Sequence, residues 1–98
     1  MSKRNENRLI KMSKHASKRA LERGINKKSI KAIINNPIET IYDDKRGNYK
    51  SFGAALSPFT KTQEYLLIVH SKFNTHVTII TVMWINKGGL KKIGFNKL

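Results

Sequence analysis

The pattern of apolar residues changes at Asn36-Pro37, and this change limits the folds that the chain can adopt. Before this point, apolar residues recur at helical spacing, as Ile30, Ile33 and Ile34 do. After it, β-branched and aromatic residues form short runs that turn residues separate. Proline cannot donate a backbone hydrogen bond and disfavours helix at the residue before it. We therefore expect helices first and strands afterwards.

Two helices are predicted before the proline. Ser13 is a good N-cap and Gly24 a good helix stop, so a first helix is predicted over residues 14–23. Asn26 can cap a second helix over residues 27–35. The polar, charged residues 1–11 are predicted to be a basic N-terminal arm.

Four strands are predicted after the proline, over residues 38–43, 49–54, 64–70 and 76–85. Short turns join them, which favours antiparallel pairing. Residues 90–95, after Gly88-Gly89, are expected to be a short extra strand or a tail. The predicted fold class is α+β, with two N-terminal helices packed on a four-stranded antiparallel sheet, as one domain over residues 12–98.

The charge of the chain points to a polyanionic partner. Twenty Lys and Arg residues stand against six Asp and Glu residues, which gives a net charge of +14. This is more charge than solubility requires, and a nucleic acid would relieve the repulsion and release counterions. No apolar run is long enough to span a membrane, so no membrane partner is expected. Without cysteines, disulfides and thiolate metal sites are excluded.

Three cationic or ionisable residues share one side of the first predicted helix: His15, Arg19 and Arg23. Their i, i+4, i+8 spacing places them beside the apolar stripe, at the border between helix and sheet. Imidazole can act as an acid or base near neutral pH, and guanidinium groups match phosphate oxygens. Such a set suffices for RNA cleavage without a metal, through attack of the 2′-hydroxyl on the adjacent phosphorus. The alternatives are a His15 that packs on the sheet and arginines that pair with acidic residues of the strands.

Other candidates lie in the predicted strands. Lys50, between aromatic residues, is expected to contact phosphate, although a solvated edge lysine is the alternative. His70 could pair with His76 across a hairpin, but no nearby carboxylate completes a metal site, so neither metal nor cofactor is expected. Thr78 and Trp84 are predicted on one mixed face of the last strand, where they could contact RNA, with packing as the alternative for the tryptophan.

The residues from His15 to Ile25, with the pattern His-x3-Arg-x3-Arg-Gly-Ile, resemble the start of a bacterial and phage family known as a domain of unknown function. The later runs 49–53, 65–69 and 77–84 look like the strands of that family. The family is grouped with the RelE/ParE, barnase, EndoU and colicin-type tRNase toxins. The resemblance covers roughly residues 13–86.

The resemblance implies a RelE- or colicin-RNase-like fold and metal-independent cleavage of tRNA or mRNA in a bacterial cytoplasm, the cell's own or a target cell's. It implies His15 as acid–base group and Arg19 as phosphate contact, and we add Lys50 to this catalytic set. Arg23, Lys18, His70, Thr78 and Trp84 complete the residues expected to contact RNA or phosphate. The expected partners are RNA and an acidic antitoxin or immunity protein. The alternative is a module that binds nucleic acid, or a protein partner, without catalysis.

Overall fold

The computed structural model describes residues 9–98, which form five strands and three helices. In chain order these are β1 (Leu9–Met12), α1 (Lys14–Glu22), α2 (Lys27–Asn35), β2 (Glu39–Asp43), β3 (Asn48–Leu56), β4 (Gln63–Lys72), β5 (His76–Ile85) and α3 (Lys87–Ile93). The strands make one sheet in the order β1-β5-β4-β3-β2. The pairing of β1 with β5 is parallel, and the other three pairings are antiparallel.

The two N-terminal helices form where their caps predict. The Ser13 side chain accepts a hydrogen bond from the Ala16 amide, and Asn26 does the same for Ser29. Gly24 adopts a positive φ of 64°, which lets the chain turn sharply from α1 to α2. Both helices pack on one face of the sheet, where they bury a set of aliphatic residues that includes Ala16, Ala20, Ile25, Ile30, Ile33, Ile34, Leu66, Ile68, Val77, Ile79 and Val82.

The third helix covers the opposite face of the sheet. Leu90 of α3 and Phe95 beyond it are buried against Phe52 and Leu67. Asn86 caps α3, and Gly89 fits tightly against Ile85. The protein therefore has helices on both faces of a mixed five-stranded sheet. The predicted architecture, in which a four-stranded antiparallel sheet carries only two helices, is wrong.

Two elements explain this error. The predicted basic arm includes residues 9–11, but together with Met12 they form β1, with Ile10 and Met12 packed against the core. The rest of the predicted arm, residues 1–8, lies outside the described residues. Residues 90–95 were expected to be a strand or a tail, but most of them belong to α3. Leu90 and Ile93 have the i, i+3 spacing of a helix, although the two glycines before them weaken that signal.

An irregularity in β5 changes which side chains face the N-terminal helices. His70 pairs with Ile79 and Val69 pairs with Thr81, which leaves Ile80 as an extra residue in β5. Strict alternation would place Met83 and Ile85 on the same face as Val77 and Ile79, towards α1 and α2, but after the bulge they contact the α3 side. Trp84 packs on the α1 side instead.

The remaining strands begin and end within two residues of the predicted positions. The longest helices have nine residues, so no helix among residues 9–98 could span a bilayer.

Candidate nucleic-acid interface

One flank of α1 presents His15 and Arg19 together. His15 is exposed and Arg19 is partly exposed, while Ala16 and Ala20 face the sheet. Residues four apart on a helix are neighbours on its surface, about 5–6 Å apart at Cβ. An imidazole and a guanidinium group at this separation can both reach one phosphodiester. Lys18, also exposed, lies on the side of α1 away from the sheet.

Arg19 is held by an acid on its own helix. Its guanidinium group donates a hydrogen bond to the Glu22 carboxylate over 2.8 Å. This bond lowers the pKa of Glu22. The expected alternative partners of Arg19 were acids of the strands, so the acid that actually pairs with it is different. Both side chains are partly exposed, and a phosphate can therefore take the place of Glu22 at modest cost.

Arg23 is bound to the main chain of β5. Its guanidinium group donates to the Val82 carbonyl over 2.6 Å, and the Trp84 indole donates to the Arg23 carbonyl over 2.8 Å. The two bonds fix the end of α1 to the strand. This arrangement is the packing alternative for Trp84, and it commits the Arg23 side chain to a structural contact.

The start of α1 is fixed to β5 as well. The Ser13 amide donates to the Ile79 carbonyl over 3.0 Å, and the Ser13 hydroxyl donates to the Ile80 carbonyl over 3.2 Å. Strand β1 ends at Met12. Ser13, the N-cap of α1, therefore donates hydrogen bonds to the next carbonyl groups of β5. The helix that carries His15 is therefore bound to the sheet at both ends.

Lys50 lies on the other face of the sheet. Successive residues of a strand point to opposite faces, so Lys50 faces the same way as Phe52 and the opposite way from Ser51. Phe52 packs against α3. Its ammonium group donates to the Asp43 carboxylate over 2.7 Å and holds the pKa of Asp43 far below its usual range. Lys50 and Asp43 line a cleft with Ile93 of α3. The sheet separates Lys50 from α1, so the structure does not bring it together with His15 and Arg19.

His70 is buried on the same face as α1 and α2, and it joins a short chain of polar groups. Hydrogen bonds link its Nε2 to the Ser51 hydroxyl (2.9 Å) and Ser51 to the Thr40 hydroxyl (2.7 Å). Its Nδ1 is buried without a hydrogen-bond partner. Burial, and secondarily the charge of Lys72, lowers the pKa of His70 to about 4. With 1% exposure, His70 is too deep to contact RNA directly.

The tyrosines next to His70 were not among the predicted site residues. Tyr49 stacks with His70, at 5.8 Å between ring centroids, and Tyr42 contacts Tyr49 at 4.9 Å. The alternating apolar pattern gives no reason to separate these rings from core residues. Ser51, the polar group that contacts His70, gives no clear signal either, because it follows Lys50 in a strand of mixed polarity.

Thr78 does not share a surface with Trp84. Thr78 pairs with Ser71 before the bulge and lies on the face opposite His70, whereas Trp84 follows the bulge and packs on the α1 side. The predicted mixed face of β5 is therefore divided between the two sides of the sheet.

Over residues 9–98, no group of three or more His, Asp or Glu side chains is placed to hold a metal.

The class of protein that these observations define is a small, strongly basic α+β domain with His15 and Arg19 side by side on one flank of its first helix. The family described as "Domain of unknown function (DUF4258)" matches residues 12–84, and the chain belongs to it. No curated protein and no solved structure shows significant similarity to the chain.

Proposed function

We propose that this protein is a metal-independent endoribonuclease that binds RNA on the flank of α1. The observation that carries the proposal is the placement of exposed His15 one turn from Arg19, on a helix that is bound to the sheet at both ends. A rigid helix holds the two groups in a fixed relation to a bound phosphodiester. The net charge of +14 supplies the attraction for RNA.

In the proposed reaction, His15 removes the proton from the 2′-hydroxyl group. The 2′-oxygen then attacks the adjacent phosphorus, and the bond to the 5′-oxygen of the next nucleotide breaks. Solvent protonates the departing 5′-oxygen, and the products are a 2′,3′-cyclic phosphate and a 5′-hydroxyl. Arg19 exchanges Glu22 for the phosphate and stabilises the charge that develops on its oxygens.

The resemblance to RNA-cleaving toxins supports tRNA or mRNA as the substrate, in the cytoplasm of the producing cell or of a target cell. It also supports an acidic antitoxin or immunity protein as a partner, since such a protein would complement the basic surface. Co-purification of a small acidic protein with the chain would support this partner.

A second candidate function is RNA binding without cleavage. It is favoured by the separation of Lys50 from α1 and by the commitment of Arg23 to Val82. Both leave the flank with fewer cations than the predicted catalytic set. A binding module would show steeply salt-dependent affinity for RNA and no products.

Incubation of total RNA or tRNA with the purified protein in EDTA distinguishes the two functions. The endoribonuclease gives fragments with cyclic phosphate ends and leaves DNA of the same sequence intact, because DNA lacks the 2′-hydroxyl. Intact RNA after prolonged incubation, together with measurable RNA binding, would establish the second candidate instead.

A further inference from the structure

An exposed tyrosine lies at the end of the sheet that carries the β2–β3 and β4–β5 turns. Tyr42, on edge strand β2, is 56% exposed. It lies on the same face as α1 and α2, because it pairs with Tyr49, which pairs in turn with His70. Helix α2 packs over Gly53, four residues along β3 from Tyr49 and about 13 Å away. The Tyr42 ring is therefore beyond the cover of α2.

The ring of Tyr42 is supported from behind. Tyr49 contacts it at 4.9 Å with the planes tilted by 56°, and His70 stacks with Tyr49 at an angle of 18°. His70 is fixed by its hydrogen bond to Ser51. The Lys72 ammonium group lies 4.8 Å from the centroid of the Tyr49 ring. A row of rings across three strands thus ends in one exposed aromatic side chain.

The turn that follows Tyr42 carries basic residues. The β2–β3 turn carries the exposed residues Lys45 and Arg46. The segment also carries two acids, and one of them, Asp43, is bound by Lys50 and Arg46. The three cations therefore outnumber the two acids by one. Proteins that bind single strands combine basic residues near the backbone with aromatic rings on which bases stack. A duplex keeps the faces of its bases covered, so only an unpaired base can use such a ring.

We infer that Tyr42, supported by Tyr49, is a stacking position for an unpaired RNA base, with the β2–β3 turn next to the RNA backbone. This inference rests on the proposed function as far as RNA is the ligand, but not on cleavage. It assigns to the protein a preference for single-stranded over double-stranded RNA, and it places a second contact on a different part of the molecule from α1.

The test measures the affinity of the 98-residue chain for a short fluorescein-labelled 2′-O-methyl RNA, as a single strand and as a duplex. The 2′-O-methyl group prevents cleavage. Loss of one stacked base weakens binding roughly 5- to 150-fold, so Tyr42→Ala should weaken single-strand binding by this factor and leave duplex binding unchanged. Tyr42→Phe, which keeps the ring, should bind like the unmodified chain.

Phe59 provides a matched control, because it is 66% exposed and lies in the β3–β4 connection at the other end of the sheet. Phe59→Ala should bind both RNAs normally. The inference is overturned if Tyr42→Ala binds single strands as tightly as the unmodified chain, an outcome that leaves the proposed function standing. If the unmodified chain binds neither RNA, the proposed function fails, and this inference fails with it.

Discussion

The indole of Trp84 donates a hydrogen bond to the main-chain carbonyl of Arg23, 2.8 Å away, at the end of α1. In the opposite direction, the Arg23 guanidinium group donates a hydrogen bond to the Val82 carbonyl of the same strand. The last carbonyls of a helix have no partner within the helix and need one elsewhere. Through this exchange the strand supplies a donor to the helix and the helix supplies a donor to the strand. The position of the α1 flank depends on both bonds.

Trp84→Phe should destabilise the protein because it removes the donor to the Arg23 carbonyl while keeping an aromatic ring. Loss of one hydrogen bond in a partly buried site costs about 1–2 kcal/mol of the free energy of unfolding. Urea denaturation followed by circular dichroism measures this cost. Tyr42→Phe, which removes a polar group from an exposed ring at the opposite edge of the sheet, is the control and should change stability little. Equal stability of Trp84→Phe and the unmodified chain would mean that the bond does not fix α1.

Gly53→Ala should destabilise the packing of α2 on the sheet. A Cβ at Gly53 would lie 2.8 Å from Cγ1 of Ile33, and overpacking of this kind costs about 1–3 kcal/mol. Gly88→Ala is the matched substitution in α3, where the nearest atom would be 3.5 Å away. It should leave stability unchanged or raise it by up to about 1 kcal/mol, since alanine favours helix. Similar thermal midpoints for the two variants would contradict this description of the α2 interface.

His70 should make the protein less stable as the pH falls below neutrality. Burial lowers its folded-state pKa from 6.5 to about 4, so between these values the unfolded chain binds a proton that the folded chain does not. Stability therefore falls as the pH drops from about 6.5 towards 4, and the contribution of His70 levels off below that. At 1.36 kcal/mol for each pKa unit, the loss is at most about 3 kcal/mol.

Urea denaturation at pH 7.5 and pH 5 measures this dependence. In His70→Gln the amide can still bond to Ser51 but does not titrate, so its stability should vary less over the same range. An unmodified chain with the same unfolding midpoint at both pH values would show that His70 is not held neutral by burial.

The local patterns of the sequence predict most of the elements but not the architecture. Ser13 and Asn26 are caps whose bonds involve residues three positions away, so the helix starts can be read directly. The parallel pairing of β1 with β5 joins residues more than sixty positions apart, and no turn signal announces it. The bulge at Ile80 is likewise invisible to a strict period of two, and it reverses the faces of Met83 and Trp84.

Some residues of the candidate site can likewise be placed from local patterns in the sequence, and others cannot. The i, i+4 spacing is enough to place His15 beside Arg19, because one helix carries both. Lys50 could not be placed, since its face depends on the register of β3 and on the packing of α3 over Phe52. The role of Arg23 depends on a carbonyl 59 residues away along the chain. Composition and helical spacing therefore predict the cationic flank, and tertiary structure decides which cations are available to a ligand.

The most direct test of the account is the cleavage rate of labelled RNA in EDTA by the unmodified protein, His15→Ala and His76→Ala. His15 is exposed, so His15→Ala should fold normally and bind RNA with unchanged affinity. Loss of a general acid–base group should slow cleavage by about 100-fold or more, whereas His76→Ala should cleave at the normal rate. Cleavage by His15→Ala at the rate of the unmodified protein, or intact RNA in every reaction, would contradict the proposed function.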